Sequence, residues 1–144
     1  LPYLEFFDGL IILAGGIGTG AAVRAAVVAG ADLCYMGTRF IAAVESIASE
    51  EYKQMVIEAC YEDLILTDKV TGAKAYYLRQ SLEKMGLDPQ NIDTGKGINL
   101  SDSQNQIRAW KDVWSAGHGV GAVKTRESLA TIISQLHYEY KLAC

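Results

Sequence analysis

Two glycine-marked segments, one helix apart, carry the residue types that can hold an anion. Ala14-Gly15-Gly16-Ile17 follows the apolar run Leu10-Ile11-Ile12-Leu13, and Met36-Gly37-Thr38-Arg39-Phe40 follows Asp32-Leu33-Cys34-Tyr35. Glycine has no Cβ, so backbone N–H groups there can turn outward and admit close approach. If both segments end neighbouring parallel strands, their amides converge on one anion and Thr38 adds a hydroxyl. The phosphate of a nucleotide or flavin suits that geometry.

The elements around these tips follow from local pattern. Leu10 to Leu13 is a short continuous apolar run, which suits a strand covered on both faces in a parallel sheet. Thr19 to Ala29 reads as a helix with Thr19 as N-cap, Gly30 just past its end, and Ala22, Val23, Ala26 and Val27 as its packing stripe. Asp32 to Met36 is the next strand. The result is a βαβ unit of about 27 residues, close to the size of a right-handed crossover. Upstream, Leu1 to Asp8 reads as the end of a helix stopped by Gly9.

Past Phe40 the pattern changes. Ser49-Glu50-Glu51 opens a helix expected to run through Tyr61, its acidic pair at the positive end. Leu64 to Thr67 reads as a short strand and Thr71-Gly72 as a turn. Tyr76 to Met85 is expected to be helical, ending at Gly86. Leu87 to Leu100 reads as a loop, Ser101 to about Val113 as a helix, and Trp114 to Val123 as a glycine-rich loop. Thr125 is expected to cap a final helix whose packing face carries Leu129, Ile132, Ile133, Leu136 and Tyr140. Residues 1–40 thus form a phosphate-binding βαβ unit and 41–144 a mostly helical segment.

Composition narrows the possible functions. The 144 residues suit one domain, and the 50% hydrophobic content excludes disorder. The net charge of −4 leaves no basic footprint for nucleic acid. No apolar run approaches the ~20 residues of a membrane-spanning helix, and no secretory signal is visible. Cys34, Cys60 and Cys144 are widely spaced with no C-x-x-C pair, which offers neither a metal site nor a disulfide framework. A reducing, cytoplasmic setting is expected. Cys34 reads as a small core residue.

Two folds compete for the glycines. Gly16-x-Gly18-x-x-Ala21 matches the dinucleotide fingerprint in form, but that reading requires an acid at the end of the second strand. Here that strand ends in Met36-Gly37-Thr38, and its only acid, Asp32, lies at the other end. A (βα)8 barrel places ligands at the C-terminal strand ends, with phosphate often held by the last two strands and their loops. The fold class read from the chain is therefore α/β, a partial (βα)8 TIM barrel with additional helices.

At this point the residues resemble a known family. Ala14-Gly15-Gly16-Ile17, Gly30-Ala31-Asp32 and Met36-Gly37-Thr38-Arg39-Phe40 look like the phosphate-binding half of nitronate monooxygenases, formerly 2-nitropropane dioxygenases. The resemblance continues through Glu45-Ser46, Tyr52-Lys53, Thr71-Gly72 with Arg79, and Trp114-Ser115-Ala116-Gly117-His118-Gly119. It implies an FMN-dependent barrel enzyme that oxidises alkyl nitronates with molecular oxygen, giving carbonyl compounds and nitrite. It implies that Gly15, Gly16, Gly37 and Thr38 bind the FMN phosphate, and that Gly117 and His118 approach the flavin from the later loop. Arg39 is either a phosphate ligand or a structural ion-pair partner. The family's catalytic histidine lies upstream of the Gly-Gly strand, outside this chain. His118 and His137 do not match it, so no general base is assigned, and His137 reads as a surface residue of the last helix.

Two parallel strands cannot close a barrel, which takes at least about 200 residues. The chain is expected to be the C-terminal portion of a larger enzyme, inactive alone. Rival readings on the same barrel are a flavin-dependent enoyl-acyl-carrier reductase and an NAD(P)H:quinone reductase. A non-catalytic phosphate- or nucleotide-binding module is a third. An interaction module built on Trp110, Trp114, Tyr138 and Tyr140 is a fourth.

Overall fold

A computed structural model describes residues 6–89 and 113–143. Its first unit is built on strands β1 (Ile12–Ala14) and β2 (Leu33–Tyr35), which pair in parallel with Ile12 opposite Leu33, Leu13 opposite Cys34 and Ala14 opposite Tyr35. Helix α1 (Gly20–Val28) connects them. Thr19 caps α1, its hydroxyl oxygen accepting the Ala22 amide at 3.2 Å. Gly30, at φ 101°, turns the chain off the helix into β2, a conformation that costs a residue with a Cβ.

The apolar residues alternate as a strand requires. Ile11, Leu13, Cys34 and Met36 pack on α1 around buried Ile17, Ala26 and Ala31, and Cys34, expected in the core, is half-buried against it. Leu10, Ile12, Leu33 and Tyr35 face away and are exposed. The run is therefore covered on one face within the described residues, not on both. Phe6 to Asp8 are not helical, and both phenylalanines are exposed, so no buried apolar face supports a helix there. Residues 1–5 lie outside the described residues.

Past β2 the chain makes a single helical turn, α2 (Thr38–Ile41), then helix α3 (Glu50–Glu58). Ser49 caps α3 by accepting the Tyr52 amide at 3.2 Å. The helix stops short of Tyr61 because Ala59 turns to an extended ψ of 146° and the Asp63 carboxylate accepts the Cys60 amide at 2.8 Å, starting a separate turn at Tyr61–Asp63.

Strands β3 (Leu64–Thr67) and β4 (Ala75–Leu78) form an antiparallel hairpin, Leu64 opposite Leu78 and Thr67 opposite Ala75. The expected helix from Tyr76 is corrected here. Residues 75–78 are strand, and helix α4 is only Arg79–Lys84. Tyr77 and Leu78 are buried, and Tyr77 bridges Ser115 on its other edge, so sheet pairing overrides helical spacing. Gly86 ends α4 at φ 75°. The loop expected at Leu87 to Leu100 and the helix at Ser101 to Val113 lie almost entirely outside the described residues. Within the glycine-rich segment, His118–Ala122 forms a 3-10 turn.

The final helix α5 (Leu129–Leu142) begins later than expected. Ser128, not Thr125, is the cap. Its hydroxyl oxygen accepts the Thr131 amide at 3.1 Å, while the Glu45 carboxylate accepts the Leu129 amide at 2.9 Å. Of the expected packing face, Ile132 and Leu136 are buried, whereas Leu129 and Ile133 are exposed. α5 lies against α1 at Gly20, where a Cβ would strike the Leu136 carbonyl oxygen and the Tyr140 amide nitrogen. Among the described residues, no helix is long and apolar enough to cross a membrane, and no cluster of His, Cys, Asp or Glu is arranged to hold a metal ion.

Candidate functional site

The parallel pairing of β1 and β2 brings the two glycine tips side by side. Adjacent strands run about 4.8 Å apart, so Gly15-Gly16 and Gly37-Thr38 leave the sheet as neighbours. Gly15 and Gly16 take φ 91° and 70° in succession, which turns the first tip sharply out of the ladder. Gly37 has an ordinary φ of −110° and precedes α2. The parallel register, with Ala14 opposite Tyr35, directs the Gly15 amide at the Tyr35 carbonyl, whereas no hydrogen bond among the described residues uses the amides of Gly16, Gly37 or Thr38. Among the described residues nothing stands within 4 Å of a Cβ placed on Gly15 or Gly37.

The later loop reaches both tips. The Gly117 amide donates to Thr38 Oγ1 at 2.8 Å, which leaves the Thr38 hydroxyl hydrogen free to donate elsewhere. The His118 Cβ lies 4.0 Å from the position a Cβ on Gly16 would take. Gly119 and Gly18 allow this segment to approach backbone to backbone, since a Cβ on Gly119 would lie 3.3 Å from the Ile17 carbonyl oxygen. All six glycine, threonine and histidine positions singled out in the sequence therefore fall in one neighbourhood.

A cleft of about 400 Å³ opens beside the second tip, lined by Gly37, Thr38, Ile41, Ala75, Tyr76, Ser115, Ala116 and Gly117. Its far wall comes from β4 and the 115–117 segment. Three bonds anchor that segment: the Leu78 amide to the Trp114 carbonyl at 2.9 Å, the Trp114 amide to Ser81 Oγ at 2.7 Å, and the Tyr52 hydroxyl to the Ser115 carbonyl. Burial raises the Tyr52 phenol above its ordinary pKa, so it remains a donor. Tyr52 also stacks on Trp114 at 5.1 Å. At the rim, His118 meets the Tyr76 ring edge-on at 4.4 Å and stacks on Tyr61 at 5.3 Å.

Reading residue types alone missed Ile41, Tyr76, Ser115 and Ala116. The alternation in Ala75-Tyr76-Tyr77-Leu78 is the signal that could have found Tyr76, because burying Tyr77 in a strand turns Tyr76 to the opposite face.

Two alternatives are decided by contacts. Arg39 is buried, 2.9 Å from Glu127 and 2.8 Å from Gln135 Oε1, so it is the structural ion-pair partner and does not face the tips. The Arg39 guanidinium, hydrogen-bonded to Glu127, holds that carboxyl below its ordinary pKa. The dinucleotide reading fails at α1, whose first amide, Gly20, already donates to Glu139 of α5 at 2.6 Å. Asp32 accepts the Ile11 amide at 2.8 Å at the start of β2, away from the tips. His137 is exposed on α5, as expected.

A parallel βαβ unit with adjoining glycine tips and a returning Trp-Ser-Ala-Gly segment can be compared with known proteins as a whole. The family model for nitronate monooxygenase matches residues 10–137. The chain belongs to the nitronate monooxygenase family. A nitronate monooxygenase of Paraburkholderia phytofirmans is 26% identical over 140 residues, covering 91% of this chain and 38% of that protein. A probable nitronate monooxygenase of Staphylococcus saprophyticus is 37% identical over 65 residues, covering 45% and 18%. Among solved structures, FabK from Thermotoga maritima aligns with a TM-score of 0.69 at 26% identity, over 94% of this chain and 45% of that one. A nitroalkane oxidase from Streptomyces ansochromogenes aligns with a TM-score of 0.74 over 97% and 42%, and at 23% identity it speaks for the fold alone. The chain thus spans less than half the length of these relatives. Its fold is a partial TIM barrel, and the exposed face of β1 and β2 corresponds to the side that such a barrel turns inward.

Proposed function

We propose that this nitronate monooxygenase family member supplies the phosphate-binding corner of an FMN-dependent oxidoreductase that oxidises alkyl nitronates with molecular oxygen. One observation carries the reading: three amides, those of Gly16, Gly37 and Thr38, lie just past two adjacent parallel strand ends and make no bond within the described residues. Phosphate needs such convergent donors, and the open space at Gly15 and Gly37 lets it come close. Gly15, Gly16, Gly37 and Thr38 would hold the phosphate, with the Thr38 hydroxyl as a further donor. Each charge-assisted bond is worth on the order of 1.5–3 kcal/mol.

The flavin, when bound, supplies the redox chemistry of the reaction. The residues of this chain bind and orient. Gly117, tied to Thr38, and His118, beside Gly16, would border the cofactor from the later loop. No proton-transfer role is given to His118 or His137. The setting proposed is cytoplasmic.

The test uses the full-length protein. A bound-flavin absorption spectrum and oxygen uptake driven by nitronate support the reading. NAD(P)H oxidation without nitronate turnover would instead favour a reductase on the same barrel. A colourless protein that binds inorganic phosphate would favour a non-catalytic module.

A further inference from the structure

We propose that Tyr76 sets the length of the apolar chain this site accepts, the cleft beside Thr38 being the seat for the distal end of the substrate. The inference deepens the flavoenzyme reading and rests on it for orientation.

The cleft has the chemistry of an alkyl-chain site. Its walls are Ile41, Ala75, Ala116 and Tyr76, and among the described residues no Asp, Glu, Lys, Arg or His lines it. About 400 Å³ is ample for a short hydrocarbon chain and lies within the range of small-molecule pockets. Away from the Gly37-Thr38 edge a charged group would lose hydration to apolar walls, whereas methylenes gain from burial.

Position selects the distal end. Gly37 and Thr38 form one edge of the cleft and are the proposed phosphate donors. The phosphate is the end of FMN remote from its reactive ring. A nitronate whose reacting end lies at the ring would bring only the tail of its chain to this edge.

Tyr76 is the residue placed to limit that tail. Its backbone is fixed in β4 opposite Leu66, and burial of Tyr77 on one face of the strand sends Tyr76 to the other. Its ring is braced by His118 at 4.4 Å, and His118 in turn by Tyr61. Ala75 and Ala116 are small and leave space, while Tyr76 is the bulkiest side chain in the lining.

The experiment measures binding of straight-chain carboxylates, propanoate to decanoate, to the full-length protein by calorimetry. These are unreactive planar anions with the same tail. In the wild type, affinity should rise about fourfold per methylene up to a limiting length and then level off or fall. Tyr76→Ala should move the limit to longer chains, Tyr76→Trp to shorter ones, and Tyr76→Phe should leave it in place, with melting temperature reporting the fold of each. A wild type without chain-length dependence overturns the inference. So does a limit that is the same in all folded variants, including the case in which Tyr76→Ala weakens FMN instead. A limit that follows the ring in a protein that holds no flavin supports a chain-length role for Tyr76 and rejects the flavoenzyme reading. Bound flavin with an unmoved limit does the reverse.

Discussion

Replacing Thr38 by valine removes one oxygen and almost no volume, at the point where the β2 tip and the later loop are joined. Thr38 Oγ1 is the acceptor for the Gly117 amide at 2.8 Å. Valine keeps the branched shape but leaves that amide without its partner. A buried donor so orphaned costs about 1–3 kcal/mol. Gly117 is only half-buried, so water recovers part of the loss and the expected destabilisation is about 1–2 kcal/mol. Thr38→Ser keeps the oxygen and should stay within about 0.5 kcal/mol of the wild type. Denaturant unfolding of the full-length protein measures both variants, and amide exchange at Gly117 should quicken in the valine variant only. Equal stability of the valine and serine variants, with unchanged exchange at Gly117, would refute the argument that this bond ties the loop to the strand tip.

Gly20→Ala should destabilise by about 1–3 kcal/mol, read as a lower melting temperature, because the new methyl meets backbone atoms of Leu136 and Tyr140 that cannot swing aside. Gly37→Ala, at an ordinary φ with open space, should fold within about 0.5 kcal/mol of the wild type yet bind FMN less tightly, its methyl crowding the phosphate. The Arg39–Glu127 pair should make stability sensitive to acid. The folded carboxyl sits below its usual pKa, so its contribution is present above the unfolded value of about 4.3 and is lost as pH falls through the lower folded value. Urea midpoints of wild type and Glu127→Gln should therefore differ at pH 7 and converge on acidification.

The βαβ unit was legible because every local signal agreed. Thr19 capped, Gly30 stopped, and the apolar residues of 10–13 and 22–27 each kept one period. The neighbouring glycine tips follow from that unit alone, since consecutive strands joined by one helix tend to lie side by side. The hairpin was not legible. Ala75 to Leu78 carries residues that fit helix or strand, and the choice was made by pairing with Leu64 to Thr67 and by the bridge from Tyr77 to Ser115, contacts that no local window contains. The cap of α5 was misread for a similar reason. Thr125 and Ser128 are both good caps, and Glu45, more than eighty residues away, reinforces Ser128. Arg39 could not be assigned from sequence because its partners, Glu127 and Gln135, come from the far end of the chain.

The proposal of a phosphate site at Gly15-Gly16 and Gly37-Thr38 is tested most directly by comparing FMN with riboflavin, which lacks only the phosphate. If the free amides of Gly16, Gly37 and Thr38 hold that group, the full-length protein should bind riboflavin about 100-fold more weakly or worse, equivalent to about 3 kcal/mol or two charge-assisted bonds. Equal affinity for the two flavins would contradict the account.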